Sequence, residues 1–169
     1  MLPARLLDEG ASPDAVNADG WTALHEAAQR NVAAIIPVLV TATNLDSLGS
    51  GTDQATPLMV AAAAGSLDAV DALLAAGADI RCCTPSGRTA LGDALALGRC
   101  AIALRLWQRA QQEPDYDAIL AAALKAAGPA LDRPCVEGDT PLAAAAEQGY
   151  HQLFPLLLTP HNLNLPRGA

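Results

Sequence analysis

Three histidines, four cysteines and a scatter of carboxylates are the residues through which this 169-residue chain could do chemistry. General-base catalysis needs an imidazole beside a nucleophile, and a zinc site needs cysteines and histidines at short fixed spacing. His25, His151 and His161 each stand without a partner motif. Cys82, Cys83, Cys100 and Cys135 lack C-x-x-C spacing and a well-placed histidine pair, so the spacing argues against zinc. Adjacent Cys82 and Cys83 are awkward partners for one another because disulfide geometry is demanding, and reduced thiols are the expectation. Glu137 and Asp139 lie two residues apart in a turn, where both are expected to be solvated. "TPSGRT", residues 84–89, sets glycine beside arginine, yet the chain holds no G-x-G-x-x-G, no Walker-type loop and no H-E-x-x-H. The expectation is no catalytic residue, no cofactor and no metal: not an enzyme.

A different pattern fills the chain. Thr22-Ala23-Leu24, Thr56-Pro57-Leu58, Thr89-Ala90-Leu91 and Thr140-Pro141-Leu142 recur at spacings of 34, 33 and 51 residues, each followed by an alanine-rich stretch. A threonine hydroxyl at a helix N-cap, with proline at the first helical position, predicts a helix start at each. Ser66 is expected to cap a second helix, Asp68 to sit in its positive first turn and Gly77 to stop it. In that helix Leu67, Val70, Leu73 and Leu74 share one face; the same offsets give Ala33, Ile36, Leu39 and Val40, then Cys100, Ala103, Leu106 and Trp107, then His151, Phe154, Leu157 and Leu158. One helix pair cannot bury such a stripe alone. Stacked neighbours must build the core, at roughly 25 cal/mol per Å² of apolar surface removed from water. Alanines 61, 62, 144 and 145 let the first helices approach closely, which reconciles a hydrophobic fraction of 51% with only 3% aromatic residues. Pro37 and Pro155 fall at equivalent places inside the second helices, which are expected to start late or bend.

These copies resemble the ankyrin repeat. "TPLMVAAAAGSLDAVDALLAAGAD", residues 56–79, is the best of them, with Met59 where the family has histidine. The first copy keeps His25 but has Ala23 for proline and Asn31 for glycine; the third has Gly92 and the fourth Ala143 in the histidine place. "LLDEGASPD", residues 6–14, matches the tail of a repeat. The resemblance implies an all-α solenoid of stacked helix-turn-helix units with turn tips on one side. As one domain it divides into a half repeat (1–17), repeats at 18–50, 51–83 and 84–134, and a fourth repeat with tail (135–169). The long third unit carries extra sequence at about 109–128, either an inserted helix or the remnant of a degenerate repeat. Beginning on half a repeat leaves a helix face near Leu6 and Leu7 uncovered, and the array is expected to continue upstream or to dispense with that first helix.

The resemblance also implies a protein-protein interaction scaffold that binds through the concave face and turn tips, with His25 as a structural hydrogen-bonding residue. The family's surface positions fall here on Asp19, Trp21, Glu26, Gln29, Arg30, Asp53, Arg88, Asp93, Glu137, Asp139, Glu147 and Gln148. Trp21, just before a capping threonine, is either a rigid anchor worth ~2 kcal/mol or more on truncation or a ring packed beside the 47–55 turn; as an anchor its loss weakens binding with little effect on folding. Trp107 belongs to the packed stripe. Ten basic against eighteen acidic residues give a net charge of −8, which repels nucleic acid and anionic lipid. The same charge either steers a protein partner with a basic surface or serves solubility. No stretch reaches the ~18 apolar residues of a membrane span and the start has no signal-peptide core, so a soluble chain is expected; the reduced thiols point to a cytoplasmic setting, and a monomer is expected. The alternatives are an effector or immunity-type inhibitor delivered into a host or target cell, and a regulatory or targeting module of a larger enzyme. A single lysine, Lys125, against nine arginines fits a GC-rich bacterial genome.

Overall fold

The computed structural model describes residues 12–50, 54–131, 134 and 140–158. Among these residues lie nine α-helices, three short 3-10 turns and no β-strand. The first helix of each repeat starts where the threonines place it: α1 is Ala23–Gln29, α3 Pro57–Ala64, α5 Ala90–Ala96 and α8 Pro141–Glu147. Thr56, Thr89 and Thr140 each accept, through the hydroxyl oxygen, the amide three residues on, satisfying an N–H the helix leaves open. At Thr22 the imidazole of His25 instead reaches back, taking the Thr22 amide at 3.3 Å and its hydroxyl at 2.8 Å on Nδ1.

Nine residues past each threonine the chain turns left-handed to leave the helix. Gly65, Gly98 and Gly149 take φ of +85°, +67° and +78°, and Asn31 holds the same place at +55°. Asparagine tolerates this conformation better than other side chains, and here it gains a second use. Its Oδ1 accepts the Ala69 amide at 2.9 Å and its Nδ2 donates to Asp68 at 3.0 Å. The expected cap from Ser66 is not formed: that buried hydroxyl donates to the Gln29 carbonyl of the preceding repeat at 3.0 Å. The capping oxygen comes from the neighbouring repeat, so the hydrogen bonds that finish one helix also staple two repeats together.

The second helices bear out the proline argument. Without proline they run whole, as α4 (Leu67–Ala75) and α6 (Cys100–Ala110). With Pro37 and Pro155 each starts as a 3-10 turn, Ala33–Ile35 or His151–Leu153, and finishes as one α-helical turn, α2 (Ile36–Leu39) or α9 (Phe154–Leu157). Val70, Leu73, Ile36, Leu39, Ala103, Leu106, Leu153 and Leu157 from these segments are buried, and with Leu24, Leu58, Met59, Leu91 and Leu95 they make one continuous core.

The extra segment folds as α7, Tyr116–Ala127, after a break at residues 111–115. The Trp107 indole N–H donates to the Tyr116 hydroxyl at 2.8 Å across that break, and Arg109 pairs with Glu113 inside it. The inner helices stand side by side in the order α1, α3, α5, α7, so α7 takes the place next to α5. Gly92 explains the fit. A Cβ there would lie 2.9 Å from the Ala126 Cβ, closer than such contacts occur, and 3.0 Å from the Ala123 carbonyl oxygen, tighter than most. The α8 hairpin packs instead against α6, where Leu153 and Leu157 meet Cys100 and Ala103.

Candidate functional site

The turns that enter α1 and α5 share one construction. Asn17 accepts the Asp19 and Trp21 amides on Oδ1 at 3.0 and 2.9 Å, and its own amide donates to the Trp21 carbonyl at 2.8 Å. Sixty-seven residues on, in the same register, the Thr84 hydroxyl accepts the Arg88 amide at 3.0 Å and the Thr84 amide donates to the Arg88 carbonyl at 3.0 Å. Gly20 and Gly87 supply the positive φ each tip requires, and Gln54 is forced to φ +42° at the matching place. These two turns therefore fix the residue before the threonine, Trp21 and Arg88.

His25 binds the first two units together. Its Nε2 lies 3.0 Å from the Ala55 carbonyl oxygen, which can only accept, so the ring proton is on Nε2 and Nδ1 is the acceptor facing Thr22. Burial pushes its pKa below the usual imidazole range, against the opposing pull of hydrogen bonds to the backbone of Ala55 and Ser47. A buried, neutral, doubly bonded imidazole has no free nitrogen with which to move a substrate proton.

Trp21 is half-buried. The edge of its indole lies over Gly49, where a Cβ would come within 3.2 Å of Cδ1, and its ring centroid is 6.0 Å from that of His25. The same ring lines an open depression of about 190 Å³ together with Gln29, Ala55, Met59, Val60, Ala63, Ala64 and Arg88. Of the expected surface positions, Trp21, Gln29 and Arg88 thus come together from two repeats, over a floor supplied by the repeat between them. Asp19 is exposed at the adjoining tip. Glu26 accepts from Arg30 Nε and from Asn17 Nδ2, each at 3.1 Å.

Asp93 differs from its expected role as a surface contact. It is 9% exposed, and Arg88 holds both of its carboxylate oxygens, Nε to Oδ1 at 3.1 Å and Nη2 to Oδ2 at 2.9 Å. Its charge is spent on orienting Arg88, a pairing five residues apart that follows the turn rather than a helix face. Glu147 and Gln148 are exposed, but they close α8, which among the described residues packs mainly against α6 and its own hairpin rather than in the row α1, α3, α5, α7. Asp53, Glu137 and Asp139 fall outside the described residues.

A second depression, about 220 Å³, lies between the turn before α5 and α7, with Ile80, Arg81, Asp115 and Ile119 among its lining residues. Arg81 is committed there to a two-pronged bond with Asp79, at 2.9 and 3.0 Å, which raises the guanidinium pKa and holds the Asp79 carboxyl below its ordinary value. The Cys82 thiol is pushed up by burial and then by the Asp46 and Asp79 carboxylates, which makes it a poor nucleophile. Among the described residues no group of three histidine, cysteine or acidic side chains could hold a metal ion, and no helix is long and apolar enough to cross a membrane.

The sequence matches the family described as Ankyrin repeats (3 copies), over residues 4–83 and again over 43–118. The two matches span more than half of the chain, and the stacked helix pairs carry the same pattern. The chain belongs to the ankyrin-repeat family. Ankyrin repeats are in general protein-protein interaction modules and typically not enzymes. Comparison with curated proteins finds no match. Within this ankyrin array the histidine slot is read four ways: His25 bridges two repeats, Met59 fills core, Gly92 admits α7, and Ala143 lies in the α8 hairpin.

Proposed function

We propose that the protein holds a protein partner on the surface formed by α1, α3 and α5 and the turns that enter them, and acts by docking rather than by catalysis. One observation carries this reading: three successive repeats contribute side chains to a single concave depression, with Trp21 and Arg88 held in place by their turns. A stacked array makes such a surface rigid, because each repeat is fixed by its neighbours. The whole chain is read as one domain and a cytoplasmic monomer, with α7 bounding the inner row beyond the third repeat.

The test is retention of a partner from native lysate by the wild type and by two variants. Gln29→Arg alters the concave side, and Gln108→Arg alters an exposed site on α6. The reading expects Gln29→Arg to lose the partner that Gln108→Arg keeps. The reverse result would reject it.

A further inference from the structure

The depression exists because the second repeat is trimmed at two places. Ala63 and Ala64 stand where the first repeat has Gln29 and Arg30 and the third has Ala96 and Leu97. The missing side chains leave about 190 Å³ above Met59 and Val60, with Trp21 as one wall and Arg88 as another. An apolar cavity of about 150 Å³ is large enough to take benzene, so this volume suits one aromatic or branched aliphatic side chain. The walls are preformed. Trp21 is pinned through its backbone by Asn17 and through its ring by contact with Gly49, so little ordering remains to be done when a guest enters.

Charge narrows the guest further. Among the described residues Arg88 is paired with both oxygens of Asp93 and Glu26 with Arg30, and exposed Asp19, two residues before Trp21, adds a negative charge to the turn beside the depression. The chain as a whole carries −8. A second copy, with the same charge, is repelled at long range, as is an anionic membrane. A cation beside the guest side chain is attracted to Asp19, and the indole face adds to that attraction.

We propose that this depression is an anchor pocket for a partner segment in which one large apolar side chain stands beside a lysine or arginine. The proposal rests on the concave-face reading above and names what that face selects. It makes the alanine pair of the second repeat, as much as Trp21, the determinant of specificity.

The test uses a random peptide library displayed on phage and selected on the immobilised full chain at ~0.05 M salt, where exposed charges are weakly screened. Retained sequences are expected to share Phe, Trp, Leu or Ile within about three residues of Lys or Arg, since such a pair spans the pocket and its rim. Filling the pocket with Ala64→Leu, or separately with Ala63→Leu, is expected to weaken the retained peptides at least about tenfold. Circular dichroism checks that each variant is folded. Enrichment of acidic peptides, absence of the apolar-plus-cation pair, no retention at all, or binding indifferent to both filled variants would each overturn the pocket. Peptides that ignore the filled pocket but are lost with Gln29→Arg would sink the pocket and leave the concave-face reading standing. Loss with Gln108→Arg alone would sink both.

Discussion

Replacing Gly92 by alanine sets two known effects against each other at the joint between α5 and α7. In an ordinary helix interior the change stabilises by about 1 kcal/mol, because alanine restricts the unfolded chain. Here the new methyl would sit 2.9 Å from the Ala126 Cβ and 3.0 Å from both the Ala123 carbonyl oxygen and the Thr89 hydroxyl oxygen. None of these is the loose end of a flexible side chain. To restore the ~3.5 Å at which carbon atoms attract, α7 must retreat by roughly 0.6 Å, and a gap of that size forfeits a quarter or more of each contact along the seam. That seam includes the buried Ile119, Ala123 and Ala127. Overpacking of this kind costs about 1–3 kcal/mol, so Gly92→Ala is expected to destabilise by about 1 kcal/mol net, the seam outweighing the helix gain. Urea unfolding followed by far-ultraviolet circular dichroism measures it. Pairing the change with Ala126→Gly removes the shortest contact, and the double variant should be less destabilised than the two single changes added together by about 1 kcal/mol. A Gly92→Ala protein stabilised by the full helix gain, with no coupling to position 126, would refute the placement of α7 against α5.

Asn31→Ala should cost about 1–2 kcal/mol for the lost cap on Ala69 and about 1 kcal/mol more for forcing alanine to a left-handed conformation, whereas Asn31→Gly keeps only the first loss; thermal unfolding of the pair separates them. Ser66→Ala should destabilise by about 1 kcal/mol, since the Gln29 carbonyl loses its donor, and unfolding in urea checks it. Because the folded-state pKa of His25 lies below its ordinary 6.5, the unfolded chain takes up the proton first as pH falls. Its contribution to stability is therefore complete above pH 6.5 and declines as pH drops from there to the folded-state value; unfolding titrations of the wild type and His25→Gln across that window should differ in slope, and equal slopes would exclude the effect.

The parts of the fold that rest on local rules were readable from the chain. Threonine before an alanine-rich run marked the starts of α1, α3, α5 and α8, because a capping hydroxyl acts on the amide three residues on. Pro37 and Pro155 announced the shortened outer helices because proline acts on its own backbone. What depends on neighbours was not readable. Ser66 has the composition of a cap, yet its partner is a carbonyl in another repeat, and the cap it was expected to form comes from Asn31. Spacing showed that residues 109–128 could hold a helix, but not that it would lie along α5; the trace of that packing is Gly92, a missing side chain in the histidine slot. Within the site, register grouped Trp21 and Arg88, while the claim of Arg88 on Asp93 needed the turn geometry.

The central claim is that a partner is held on the inner row, over the depression that three repeats share. The amide spectrum of isotope-labelled protein, recorded with and without a partner captured from lysate, tests it most directly. The account predicts that the largest shifts gather at Trp21, Gln29, Ala55, Ala63, Ala64 and Arg88, with Asp71, Arg105 and Gln108 on the outer helices unmoved. Shifts centred on those outer positions, with the inner row silent, would contradict it.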